Sequence, residues 1–473
     1  MTMFKHAYLM TAVLSASGLA FFSACSSSSD DPASGPQPDT GDHAGDERPA
    51  PAATLTAEEW VQAKTQSPLP AVPPDPTNKY ADNPNAARLG QAFYFETGYS
   101  GPLVTPSDLG SPGQSGRVAC ASCHVLPWGS DTRSSPNNMS LGVNWTGRHS
   151  PAVTNSAFYE MYFTDGRADS AWMQATGPVE NPNEMASDRM RVASMIYKKY
   201  KAEYEAIFGA EYGPLPARLD PANAKPFPLS AMPKGSVSAA NGPWETDLTE
   251  AERDQINRVF VNFAKSIAAY ERLLVSRNAP WDRYVAGDAK AISDSAIRGY
   301  KVFVGDGYCK DCHSGPAFTN NKYHNIGIAQ GNGPHVPATD NGRAATITGN
   351  LTATFLGSGT YSDDRTFGTD KLGKQPDFNA GVGKSEPGLF RTTGLRQIAE
   401  TAPYMHTGGF ATLEEVVHLY AEGGGKSGIG KLDKSLLNHE PMTAQQEKDL
   451  VAFLKTLTGD PPPAELMKDT SKR

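Results

Sequence analysis

Cysteine is scarce, with five in 473 residues. That argues against the disulfide-dense scaffold of small secreted domains. Long apolar runs are equally rare, and none beyond residue 22 could span a bilayer. An excess of positive charge is missing too. Lys and Arg total 43 against 51 Asp and Glu, a net charge of −8 at pH 7. A nucleic-acid binder normally shows a basic face, so that class is disfavoured. A mildly acidic surface suits a basic partner. Runs with the alternation of a strand are few.

The N-terminus carries an export signal. Lys5 and His6 precede an apolar stretch over 7–22, followed by Ser23, Ala24 and Cys25. A short apolar segment ending in small residues is a signal peptide, not a membrane span. Cys25 directly after the small residues has the form of a bacterial lipobox, with Phe22 where Leu is usual. A lipid anchor through Cys25 and a periplasmic, membrane-tethered protein are expected. A plain cleavage site is the alternative. Residues 26–72 begin rich in Ser, Asp, Pro and Gly and predict a disordered tether.

The other four cysteines form two pairs, Cys120-Ala121-Ser122-Cys123-His124 and Cys309-Lys310-Asp311-Cys312-His313. Two disulfides are one reading. The His after each pair has no role in a disulfide, whereas C-x-x-C-H is the attachment signature of c-type haem. Each Cys pair then makes two thioethers to the porphyrin, and the His binds the iron on its proximal side.

The organisation is two mainly α, cytochrome c-like haem domains with long irregular loops. The first is expected over 73–245 and the second over 246–463, with a tail at 464–473. Leu89, Ala92, Phe93 and Phe95 mark a helix before the first motif. Residues 214–243 are Pro-rich and look like the connection. Thr249 and Glu252 form a capping box, after which Ile256, Val259, Phe260, Phe263 and Ile267 recur at helical spacing. Residues 314–390 are polar and Gly-rich, without assignable structure. Thr412 with Glu415, and Thr443 with Gln446, start two more helices.

Several further motifs surround the two pairs. They are Phe163-Thr164-Asp165-Gly166-Arg167, Gln174-Ala175-Thr176-Gly177-Pro178, Asn181-Pro182-Asn183-Glu184-Met185 and Thr401-Ala402-Pro403-Tyr404-Met405-His406. Together with Asn278-Ala279-Pro280-Trp281-Asp282-Arg283-Tyr284, this order resembles the di-haem cytochrome c peroxidase and MauG family. The resemblance runs from about Arg88 to Gly459. It implies that the haem on His124 meets hydrogen peroxide, with Gln174 and Glu184 in the distal pocket. A carboxylate there can take a proton from one peroxide oxygen and return it to the other. Some relatives block this iron with a His about sixteen residues past the proximal one; here that position is Ser140. An open first iron is expected.

For the haem on His313, the family places Met or Tyr on the helix after the P-Y-x-H segment. The matching residue is Tyr420, as in the MauG-like branch, with Met405 as the alternative ligand. A Tyr oxygen is hard and anionic and favours oxidised iron. Thr164 replaces the family's interhaem Trp, leaving Tyr162 as a substitute aromatic. The family also binds Ca²⁺ through carbonyls matched by Thr401 and Pro403, but the Asn side-chain position holds His149, a poor calcium ligand. Trp128 and Trp172 read as packing or surface oxidation sites, and His418 as exposed. The resemblance implies an oxidoreductase that uses peroxide on a small redox protein, a cytochrome c or cupredoxin, or on Trp or Tyr of a partner protein. A non-catalytic di-haem electron carrier is the other reading.

Overall fold

The helix Pro84–Phe95 starts where the Asn83 side chain accepts from the N–H groups of Asn85 and Ala86, and Pro84 occupies the first turn, where no N–H is needed. Its buried residues Ala86, Leu89, Ala92 and Phe93 pack against the long helix Glu250–Glu271. That helix opens with the Thr249–Glu252 capping box. The two backbones meet at Gly90, where a Cβ would stand 1.8 Å from the Ser266 carbonyl oxygen. Helices Ala171–Glu180 and Arg189–Lys199 pack on the same long helix. Phe93, Tyr99 and Phe260 gather around Phe263 in this first core. Substituting Gly90 by Val forces the helices apart. It is expected to cost roughly 1–3 kcal/mol or more of stability, read as a lower denaturant midpoint.

A second core repeats the device. Helix Asp294–Val304 crosses Ala444–Lys455 at Gly299, whose Cβ would lie 1.9 Å from the Asp449 carbonyl oxygen. Trp281, Tyr300, Phe303 and Phe318 surround Phe453 there. Among the described residues, strand is confined to one antiparallel pair, Tyr323–His324 with Phe390–Arg391. The architecture is mainly helical, as expected.

This computed structural model describes residues 53–136, 138–233, 242–350, 354–375, 385–437 and 441–472. The export signal, Cys25 and residues 26–52 of the expected tether lie outside them. Among the described residues no helix is long and apolar enough to cross a membrane.

Three boundaries differ from the sequence reading, within one unit spanning Ala52–Arg473. Residues 53–72 are not a tether. A Thr56–Glu59 capping box starts the helix Ala57–Thr65, and Leu55 and Ala63 are buried in the second core. Trp60 stacks on Tyr284, and the Tyr300 hydroxyl donates to Gln66 Oε1 at 2.9 Å. Few apolar residues suffice here because an existing core receives them. Second, the helix expected to open the C-terminal domain belongs to the first core, where Ile256, Phe260 and Phe263 are buried. Periodicity showed that this helix is buried, but not against what. Third, residues 464–472 close over the first core. Gln91 Nε2 donates to the carbonyls of Glu465 and Lys468 at 2.8 and 3.0 Å, and the Tyr270 hydroxyl to that of Leu466 at 2.5 Å. The described chain therefore crosses twice: the segment from Leu55 to Gln66 packs on the second core, and residues 464–472 close over the first.

Candidate haem sites

Cys120–Cys123 form one helical turn ahead of His124. None of Cys120, Cys123, Cys309 and Cys312 is in a disulfide, which removes the alternative use of the pairs. His124 Nδ1 faces the carbonyls of Pro151 at 2.9 Å and Gly129 at 3.1 Å. Nδ1 therefore carries the proton, and Nε2 is left for a metal. The Tyr94 hydroxyl donates to the His124 carbonyl at 2.6 Å and fixes the turn to the helix Pro84–Phe95. Burial lowers the His124 pKa, which keeps the imidazole neutral and able to bind iron.

Around this His the structure folds the expected acid. A short turn follows helix Ala171–Glu180, and the Asn181 carbonyl accepts from the N–H groups of Glu184, Met185 and Ala186. The Asn181 side chain donates to Glu184 Oε1 at 2.7 Å. Val143 N–H donates to the Glu184 carbonyl at 2.9 Å, and Asn144 N–H to that of Asn183 at 3.0 Å. A 142–144 segment thus zips along the acid's turn. It can do so because Gly142 has no side chain: a Cβ would lie 2.3 Å from the Glu184 carbonyl oxygen.

Burial raises the Glu184 carboxyl above the ordinary glutamate value, with Arg167 opposing. Burial holds up the Cys120 and Cys123 thiols, with smaller contributions from Glu271 and Asp131 respectively and then from Glu184. Glu184 is half-buried. Gln174 is half-buried on the preceding helix. Ser140, at the position of the blocking His, is fully buried and turned into its own loop, accepting from Ser150 N–H at 2.9 Å.

The loop Phe163–Arg167 holds these parts together. Asp165 is 0 % exposed and accepts from Arg148 Nη1 at 2.5 Å, Arg167 Nη1 at 2.9 Å and Arg167 N–H at 3.1 Å. Arg148 also pairs with Asp340 at 2.7 and 2.9 Å, and Arg343 donates to the Asp165 carbonyl at 3.1 Å. Burial pushes the Asp165 carboxyl up, but the charges of Arg167 and Arg148 outweigh it and hold it below the ordinary range.

The second pair lines a cavity of about 270 Å³. His313 Nδ1 faces the Phe318 carbonyl at 3.0 Å, again leaving Nε2 for a metal. Burial lowers its pKa to about 4. Tyr420, on helix Leu413–Ala421 behind the Thr412–Glu415 capping box, lines the same cavity. Burial, then Cys312 and Cys309, raise its pKa, which puts the ring beside the attachment cysteines. Met405 also lines this cavity, on a left-handed backbone with φ 71°.

Both constellations have the donor chemistry of covalent haem, free thiols in pairs and a neutral imidazole with one nitrogen oriented, and the second also lines a cavity. They fit the group. The set proposed for calcium does not fit. Thr401 and Pro403 lie on the second cavity together with His149, but His149 Nε2 is already 3.3 Å from the Asp131 carbonyl. Burial lowers the His149 pKa, and an imidazole is a poor ligand for a hard cation.

Other residues fall on either side of expectation. Trp172 is fully buried, its Nε1 donating to Thr77 Oγ1 at 3.0 Å, so it is packing and not a surface site. Trp128 is half-buried. His418 is exposed and 3.3 Å from Glu447. Thr164 receives a bond from Arg148 at 3.3 Å and lines the second cavity. Tyr162 is enclosed; burial raises its pKa first, then the charges of Asp75 and Glu271. Sequence reasoning missed the Arg148–Asp165–Asp340 network and a stack between Trp145 and His335, because both join residues far apart in the chain.

Known proteins give the same direction. The family description "Di-haem cytochrome c peroxidase" matches residues 84–290. The chain is 31% identical over 414 residues to a cytochrome-c peroxidase, IdrP2, of Pseudomonas sp. strain SCT, covering 86% of this chain and 90% of that protein. It is 28% identical over 385 residues to the methylamine utilization protein MauG of Methylorubrum extorquens, covering 80% and 79%. Among solved structures, a MauG-like protein associated with microbial copper homeostasis superposes with a TM-score of 0.55 at 23% identity, over 85% of this chain and 98% of that one; this likeness concerns the fold. Two C-x-x-C-H turns, each with its imidazole nitrogen oriented, and a relative alike along most of its length lead to one conclusion: the chain belongs to the di-haem cytochrome c peroxidase family of oxidoreductases.

Proposed function

We propose that this protein is a periplasmic peroxidase in which hydrogen peroxide reacts at the haem on His124. The observation that carries this reading is Glu184, a half-buried carboxyl on a dedicated turn that packs on Gly142, next to Leu141, whose carbonyl oxygen is 3.9 Å from Cys123 Sγ. A pure electron carrier has no use for such a group. The haem, when bound, supplies the two-electron reduction of peroxide to water. Glu184, as carboxylate, takes the proton from one peroxide oxygen and returns it to the other. Gln174 offers an amide to orient the peroxide. Asn181 keeps the carboxylate in place through its 2.7 Å bond. Ser140 offers no imidazole to close the first iron.

The second haem would be held by Cys309, Cys312, His313 and Tyr420, which line one cavity. Tyr420 lines the cavity with Cys309, Cys312 and His313 from a regular helix, whereas Met405 sits on a left-handed turn, which supports this choice over Met405. Such a haem stores oxidising equivalents better than it accepts electrons. The reducing partner is a small redox protein, a cytochrome c or cupredoxin, or a protein oxidised on Trp or Tyr. Export through residues 1–25 places the chain in the periplasm, with lipid on Cys25 as its anchor.

The test is rapid mixing of the fully oxidised holoprotein with one equivalent of peroxide, followed by absorption. An immediate change without prior reduction is expected. Reaction only after one-electron reduction would overturn the open first iron. Substituting Tyr420 by Met is expected to raise the potential of the second haem and to shift its absorption. An unchanged spectrum and potential would return the ligand role to Met405.

A further inference from the structure

Trp145 and His335 lie almost two hundred residues apart, yet their rings stack with centroids 3.9 Å apart and planes 11° from parallel. Trp145 is half-buried and His335 exposed. The stack is fixed from both sides. Three residues beyond Trp145, Arg148 pairs with Asp340 at 2.7 Å, five residues beyond His335. The His335 loop is closed by Gly331 N–H donating to the Pro337 carbonyl at 3.0 Å and is anchored by buried Val336.

Trp145 is also wired to the first haem site. It forms an antiparallel bridge with Leu141, whose carbonyl oxygen is 3.9 Å from Cys123 Sγ. The intervening residues Val143 and Asn144 hydrogen-bond along the Glu184 turn. A short path of backbone contacts therefore joins an attachment sulfur to a surface indole. Trp172 and Trp281 are fully buried, and Trp244 is 6 % exposed, so none of them is an alternative at the surface.

We propose that Trp145, stacked by His335, is the port through which a docked redox protein passes electrons to the first haem site. Indole is readily oxidised by one electron, and the electron-rich face of the imidazole stabilises the positive charge that results. In each turnover peroxide gains two electrons and two protons and becomes two waters. Each electron leaves a reduced donor protein and crosses the indole, which is oxidised and then restored; two donors end one-electron oxidised. A mildly acidic chain, net −8, suits a basic donor. This inference rests on the peroxide reading of the first site.

The experiment is sequential mixing of the holoprotein, first with one equivalent of peroxide, then with a reduced basic class I cytochrome c as the probe. In the wild type the first mix reports the peroxide step; its absence would overturn the underlying reading itself. With that step present, Trp145→Phe is expected to slow cytochrome oxidation roughly tenfold or more. A rate within about twofold of the wild type would overturn the port alone. Should that variant fold poorly, the wild type is treated with excess peroxide without a donor and mapped by peptide mass spectrometry. Oxygen added on Trp145 supports the port; oxygen on Trp128 with Trp145 intact overturns it.

Discussion

Substituting Glu184 by Gln is expected to slow the reaction of the oxidised holoprotein with hydrogen peroxide by about 10²–10⁴-fold, the range contributed by a positioned acid–base group. Gln keeps the size of the side chain and the room beside Gly142, so the turn survives. What it loses is the capacity to accept and return a proton. The pH dependence gives an independent check. Glu184 acts from its carboxylate form, and burial raises its pKa above the ordinary glutamate value. The rate should therefore rise with pH through that raised pKa and fall away on the acid side. The Gln variant should lack this acid limb. An unchanged rate, with the limb intact, would remove Glu184 from the mechanism. Binding of both haems, read from pyridine haemochrome spectra, should be the same in the two proteins.

The largest expected loss of stability lies at Asp165. It sits in the Asp-Gly-Arg motif but touches neither C-x-x-C-H turn. Its fully buried carboxylate answers Arg148 and Arg167, and Arg148 in turn holds Asp340. Substitution by Ala leaves the Arg167 N–H without its acceptor and the two guanidinium groups under-compensated. Breaking a buried pair from one side typically costs about 3–5 kcal/mol. Chemical denaturation at neutral pH should show a loss of this size. Acid should mimic it in the wild type. The folded pKa of Asp165 is depressed, so its contribution is present above the unfolded carboxyl value and is lost as pH falls through the folded one. A midpoint that stays the same between the two proteins would show that the network is dispensable.

Much of the chemistry was legible before any fold was known. Cys120, Cys123, His124, Cys309, Cys312 and His313 are neighbours in sequence, and their use depends on spacing within a single turn. Helix starts at Thr249, Thr412 and Thr443 were legible for the same reason, since a capping box spans only four residues. The helix Ala57–Thr65 has an identical signal at Thr56 and Glu59, but it follows a polar stretch and holds few apolar residues of its own.

Tyr420 and Glu184 stand between the two cases. A resemblance selected them, but the surroundings that make them chemically useful come from elsewhere in the chain. For Glu184 these are Gly142, Val143 and Asn181; for Tyr420 they are the walls shared with His313.

The sequence alone determined that two C-x-x-C-H turns exist, which imidazole follows each, and that helices dominate. Only the tertiary structure decided which core each helix joins, that the helix Ala57–Thr65 and residues 464–472 exchange cores, and that Asp165, Arg148 and Asp340 form one network. It also brought Trp145 under His335. The physical reason is range. Capping and thioether geometry are settled within a few residues, whereas burial, ion pairing and ring stacking depend on whatever the remaining chain places alongside.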